Sequence, residues 1–183
     1  EPMEKRSELL RLLLPNSLNN LDPMLNILPL SKSSEELWEN SEPLLEMMEG
    51  VEAIPGVVLR EGLTWDWETF PEFMDAAAAR KPSLNLAFIA PLTPFRHYVM
   101  GEASMERAAT AEETARIAAL IGEAVDAGAL GFSSTTLNQH MGFEGKPLAC
   151  RNASREEMKA YANQLKQRGK GAIEIALTRQ VGV

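Results

Sequence analysis

The sequence predicts an α/β protein in which a parallel βαβαβ unit follows a helical N-terminal region. Three short runs rich in apolar residues have the length of strands, and they span residues 83–91, 129–134 and 171–177. Segments with helical periodicity separate them, at residues 111–127 and 154–168. Because strands joined through a helix pair in parallel, we predict one parallel sheet with right-handed crossovers.

Residues 1–50 are predicted to form a separate leucine-rich, acidic helical region. Five leucines between residues 9 and 14 make a broad apolar helical face, which Pro15 ends. Ser34 begins a second helical stretch that Pro43 interrupts, and Gly50 is a suitable C-terminal cap. We therefore divide the chain into this region and an α/β segment over residues 51–183.

Local signals mark the helix ends in the α/β segment. Thr69 is the predicted N-cap of one helix, with Pro71 in its first turn. Capping boxes open two further helices, and a glycine follows each of these. The pairs are Thr110 with Glu113 and Ser154 with Glu157, and the glycines are Gly128 and Gly169.

The strand count limits the architecture. Parallel strands covered on both faces suit a barrel or a doubly wound sheet. A complete (β/α)8 barrel needs about 250 residues, and three strands cannot close one. We expect either a small open α/β sheet or a partial (β/α)8 barrel whose other strands lie on further sequence or on another chain.

Composition excludes several classes of function. The chain has 183 residues and a net charge of -8, of which residues 1–50 contribute -6, so no nucleic-acid partner is expected. No apolar run reaches the ~18 residues of a membrane helix, so no membrane partner is expected either. Cys150 is the only cysteine, which excludes an internal disulfide and favours the cytoplasm.

Reactive groups in parallel α/β folds lie beyond the carboxyl ends of strands. After the first strand, Arg96 could hold a substrate carboxylate or pair with a nearby acid, and Tyr98 is a second candidate. Where the chain leaves the second strand, Ser133 and Thr135 could bind a polar substrate or the backbone of their own loop. His140, farther along, could act as an acid, a base or a substrate donor.

No strong catalytic motif accompanies these candidates. The sequence lacks GxSxG, P-loop, GxGxxG and HExxH patterns. Its two histidines, His97 and His140, are 43 positions apart, so no His-x-His pair exists. The catalytic residues therefore stay unassigned, and no metal ligand is predicted within this chain.

A family resemblance rests on several separate pieces in one order. They are MEGVEAIPG, EGLTWDWETFPEFMDA, YVMGE, TAEETARIAALIGEAVDAGALGFSS and the loop from Thr136 to His140. This pattern resembles the central segment of the N-acyl-D-amino-acid deacylases (D-aminoacylase-like enzymes) of the amidohydrolase superfamily. The resemblance implies part of a TIM-barrel hydrolase in which zinc-activated water cleaves the amide of an N-acyl amino acid. It also implies that Trp65 and Trp67 pack in a segment covering the barrel mouth.

The resemblance carries no metal ligand onto this sequence. The family's His-x-His and the metal-binding cysteine have no counterpart before the matching region, and the chain reads Ala176, Leu177, Thr178 where another metal histidine is placed. We therefore expect zinc in the full-length family but no tight zinc in this segment. Expected partners are an N-acyl amino acid and either a second copy or the remainder of the enzyme. Two other readings stay open: a catalytically silent domain for protein association, and a binding module for small carboxylates.

Overall fold

The computed structural model describes residues 55–62, 67–138, 141 and 145–177. The chain divides into two compact units, Glu1–Ala87 and Phe88–Val183. The predicted helical region and its boundary at residue 50 lie outside the described residues.

The described part of the first unit contains helices α1 (Gly56–Gly62) and α2 (Phe70–Ala79). Thr69 caps α2 as predicted, and its side chain forms a reciprocal capping box with Glu72. The ring of Phe73, on the buried face of α2, meets that of Trp67 edge-on at 5.5 Å between centroids. This contact agrees with a packing role for Trp67, whereas Trp65 lies outside the described residues.

The described residues of the second unit form a three-stranded sheet with the order β1-β2-β3. The strands are β1 (Ala90–Pro91), β2 (Gly131–Thr135) and β3 (Ala172–Ala176). Both pairings are parallel, and Phe132 is in register with Ala90 on one side and Ile173 on the other. The predicted parallel sheet is confirmed, and it belongs to a mixed arrangement of helices and strands.

In the described part of the second unit, α-helices and 3-10 turns connect or follow the strands. They are α3 (Leu92–Met100), η1 (Gly101–Met105), α4 (Ala111–Ala127), η2 (Ala149–Asn152) and α5 (Arg155–Arg168). Both predicted capping boxes form, at the starts of α4 and α5. Both helices end at the predicted glycines, Gly128 and Gly169, which adopt left-handed backbone conformations.

The extent predicted for the first strand is wrong. Only Ala90 and Pro91 form strand, not residues 83–91, because β2 itself begins at Gly131, one position before the Phe132 that pairs with Ala90. Residues 92–100 form α3 directly after β1, and Pro94 lies in its first turn, where proline needs no hydrogen-bond partner.

The core lies where α4 and α5 meet each other and α4 meets β2. Ile117, Ile121 and Val125 of α4 are fully buried, and Phe132 of β2 meets Tyr161 of α5 edge-on at 6.2 Å. In contrast, β3 is exposed, with 42% of Ile173 accessible to solvent. Within the described ranges, no helix has both the length and the apolar character required to cross a bilayer.

Candidate functional site

The candidate site is the carboxyl end of β2, where the sequence placed its hydroxyl side chains. The hydroxyl of Thr135 accepts a hydrogen bond from the amide of Leu137 at 3.1 Å. The adjacent Thr136 hydroxyl donates to the carbonyl of Ala176, at the end of β3, over 3.3 Å. These hydroxyls therefore bind backbone of this chain, which is the self-bonded alternative considered for this loop.

Ser133 lies inside β2 and is in register with Pro91 on one side and Glu174 on the other. It is buried, with 6% of its surface accessible, and Thr135 is 7% accessible. Alternation along the strand directs both side chains to the same face of the sheet. The structure thus brings these two candidates together on one strand.

Cys150 completes this edge, and sequence reasoning had not placed it there. Its amide donates to the hydroxyl of Thr93 at 3.2 Å, and its thiol lies 4.0 Å from the carbonyl oxygen of Thr135. Cys150 belongs to η2 and is buried. Its contact with Thr93 joins residues 57 positions apart, so no local pattern could have predicted it.

Arg96 is fully buried on α3 instead of facing solvent. Its guanidinium pairs with the carboxylate of Glu157, and it donates to the carbonyls of Ala149 at 2.8 Å and Arg107 at 2.9 Å. The carboxylate held by Arg96 is therefore one of this chain. This geometry gives no support to Arg96 as the ligand of a substrate carboxylate.

Glu157 was identified from the sequence only as a capping residue, and the structure adds a second role. As part of the capping box, its carboxylate accepts a hydrogen bond from the Ser154 amide at 2.9 Å. It also accepts hydrogen bonds from the Ala109 amide at 3.0 Å and the Tyr161 hydroxyl at 2.9 Å. Burial raises the pKa of Tyr161 to about 12, although the positive charge of Arg96 opposes that shift. Tyr161 is thus a hydrogen-bond donor over the whole physiological pH range.

Tyr98, the remaining candidate after the first strand, lies on α3 together with His97. His97 and Tyr98 are both half-buried. The hydroxyl of Ser104 donates to the carbonyl of Gly101 at 2.6 Å and lies 3.4 Å from Nδ1 of His97. Burial lowers the pKa of His97, which favours the neutral imidazole. His140 lies outside the described residues.

The described residues do not fit a metal site. Among them, no three His, Cys, Asp or Glu side chains gather closely enough to hold an ion. The carboxyl end of β2 offers mainly threonine hydroxyls and one thiol, whereas a zinc ion usually takes three or four thiolate, imidazole or carboxylate ligands.

Comparisons of the chain with protein-family models, curated proteins and solved structures find no significant match.

Proposed function

We propose that this chain is a sector of a metal-dependent amidohydrolase that hydrolyses the amide bond of N-acyl amino acids, with D-amino acids as the expected class. In this proposal the sheet is part of a (β/α)8 barrel. The activity and the zinc are inferred from the resemblance of several sequence pieces, in one order, to the N-acyl-D-amino-acid deacylases. The cytoplasmic location predicted from the lone cysteine belongs to the same proposal.

The exposure of β3 is the structural observation that supports this proposal most. Parallel sheets are normally covered on both faces, because each strand is apolar on both sides. Every residue from Ala172 to Ile175 is exposed, and the 68% accessible Leu177 follows the strand. An edge strand of this kind is expected where another strand and its helix complete the sheet.

The proposal assigns a limited chemical part to this chain. Its described residues supply parallel strands, covering helices and a hydroxyl-bearing edge at Thr93, Thr135 and Thr136. In the complete enzyme, zinc would lower the pKa of a bound water, so that hydroxide is available to attack the amide. Because these residues do not fit a zinc site, we assign the metal ligands to residues other than the described ones.

Two measurements test this proposal. The first is zinc content by elemental analysis, together with hydrolysis of N-acetyl-D-amino acids and their L-enantiomers by the 183-residue chain. We expect no stoichiometric zinc in the protein, and no hydrolysis faster than that in zinc-containing buffer without the protein. The second is the gene sequence on both sides of the segment encoding this chain. A His-x-His motif upstream and histidines with an aspartate downstream are expected, and their absence would contradict the proposal.

The exposed β3 also favours a second candidate, a catalytically silent domain that associates with a protein partner. Alternate positions along a strand lie on the same face, and here they hold three exposed apolar side chains that a second copy could bury. They are Ile173, Ile175 and, just after the strand, Leu177. Sedimentation velocity at several concentrations, with an Ile175→Lys variant as control, tests this. Self-association that Ile175→Lys abolishes would favour this candidate, and a monomer at all concentrations would remove its support.

A further inference from the structure

Several separate segments of the second unit converge on the ion pair between Arg96 and Glu157. Arg96 comes from α3 and Glu157 from α5, and both side chains are almost completely buried. Through its other nitrogens, Arg96 binds the carbonyls of Arg107, which follows η1, and of Ala149, the first residue of η2. The pair therefore joins segments that are far apart in sequence.

The hydrogen bond to Ala149 is important for the candidate site. Ala149 precedes Cys150, whose amide and thiol contact Thr93 and Thr135 at the carboxyl end of β2. Holding the carbonyl of Ala149 in place therefore holds η2 against the hydroxyl-bearing edge. In this way Arg96 is connected to the site without facing it.

Two other polar contacts of η2 are more accessible to water. Asn152 donates to the carbonyl of Ser104 at 3.3 Å, and Arg151 donates to the side-chain oxygen of Asn138 at 2.8 Å in an exposed position. The bonds donated by Arg96 and Arg151 are equally short and both come from a charged group, but the bond from Arg96 to Ala149 is buried, where water does not compete for the partners. Release of this one bond should thus have the largest effect on the position of η2.

We propose that the ion pair between Arg96 and Glu157 tethers η2 over the carboxyl end of β2, and that release of η2 uncovers Cys150 and Thr135 while α4 and α5 remain folded. Arg96 is a positioning residue in this arrangement. The inference is independent of the amidohydrolase proposal, since it depends only on contacts within the second unit.

The single cysteine makes the tether measurable in the full 183-residue chain. The experiment follows the rate at which a thiol reagent modifies Cys150 at increasing urea concentrations below the unfolding transition. Modification through release of η2 is expected to depend weakly on urea, because little surface is exposed. A rate that rises with the full slope of global unfolding in the unmodified sequence would overturn the proposal without any variant.

Arg96→Lys tests the residue itself. Lysine keeps the positive charge beside Glu157 but lacks the planar fork that also reaches Ala149 and Arg107. We expect modification of Cys150 to become about tenfold faster, as for the loss of a hydrogen bond from a charged group, and to keep its weak urea dependence. No acceleration, or an acceleration with the full urea slope, would overturn the proposal.

Arg168→Lys is the matched control. Arg168 lies on α5, as Glu157 does, and binds a carboxylate with two nitrogens, but its partner Asp126 is exposed. Exposed ion pairs contribute little to stability, so the rate at Cys150 should change less than about twofold. Hydrogen exchange of peptides covering residues 145–154 provides a second readout. In Arg96→Lys these peptides should exchange faster, whereas those of α4 should not.

Discussion

Gly131 at the start of β2 lies so close to Ala172 of β3 that a Cβ atom added to Gly131 would stand 1.8 Å from the Ala172 carbonyl oxygen. The obstacle is backbone, which cannot move aside without breaking the pairing of the two strands. Gly131 also has a φ of 142°, a conformation that residues with a side chain rarely adopt. The pairing of β2 with β3 thus requires glycine at this position.

Gly131→Ala is therefore expected to be strongly destabilising. Overpacking and unfavourable backbone conformation together should lower the free energy of unfolding by about 3 to 5 kcal/mol. Urea unfolding measures this loss. Gly169→Ala is the control, because Gly169 also has positive φ but open space around it. It should cost only about 1 to 2 kcal/mol, and equal losses in the two variants would contradict the explanation.

Phe132 and Ile173 are in register on neighbouring strands but differ in burial. Phe132→Ala should lower the free energy of unfolding by about 3 to 5 kcal/mol, because it leaves a cavity against Tyr161. Ile173→Ala should cost about 1 kcal/mol, because much of that side chain already contacts water. A large loss for Ile173→Ala would show that β3 is covered in solution.

The capping box at the start of α4 is tested by Thr110→Ala. The hydroxyl of Thr110 accepts a hydrogen bond from the Glu113 amide at 3.2 Å. Its removal should lower the free energy of unfolding by about 1 kcal/mol. Thr110→Ser keeps the hydroxyl, so its stability should stay close to that of the original chain in thermal or urea unfolding.

Glu113 predicts a loss of stability in acid. The hydrogen bond from Arg107 and then the amide of Thr110 lower the pKa of Glu113 from its ordinary 4.5 to about 2. Since the folded-state pKa is the lower one, this contribution is complete above pH 4.5 and is lost as pH falls towards 2. In a comparison of urea unfolding at several pH values, Glu113→Gln should be less sensitive to pH within this window. The effect should be small, because the pair is exposed. An unchanged pH profile would contradict this assignment.

A separate loss of stability is expected in alkali, from ionisation of Tyr161. Burial raises the pKa of Tyr161 from 10.0 to about 12, so the folded state favours the neutral phenol. This contribution is complete below pH 10.0 and is lost as pH rises through 12.

Tyr161→Phe separates this effect from a general loss of packing. At neutral pH the variant should lose about 2 kcal/mol, because Glu157 loses a hydrogen bond from a buried hydroxyl. Above pH 10.0, the stability of the variant should fall less steeply than that of the original chain. Parallel pH profiles for the two proteins would contradict a buried, titrating Tyr161.

Short-range signals predicted much of the described fold. The capping boxes at Thr110 and Ser154 and the glycines that end α4 and α5 all involve residues within a few positions of each other. The first strand was less predictable because strand length depends on a partner, and β2 begins only one position before the residue that pairs with Ala90. The candidate site was only partly predictable for the same reason. Thr135 was found from its place at a strand end, whereas Cys150 was not.

The sequence by itself determined where α4 and α5 begin and end, because helix caps and helical periodicity are properties of adjacent turns. Only the tertiary structure decided the partner of Arg96, since its contacts with Ala149 and Glu157 span 53 and 61 positions. A guanidinium is chemically suited to a substrate carboxylate and to an internal one alike. Which of the two it binds depends on what the fold packs around it, and here the fold buries Arg96 against Glu157.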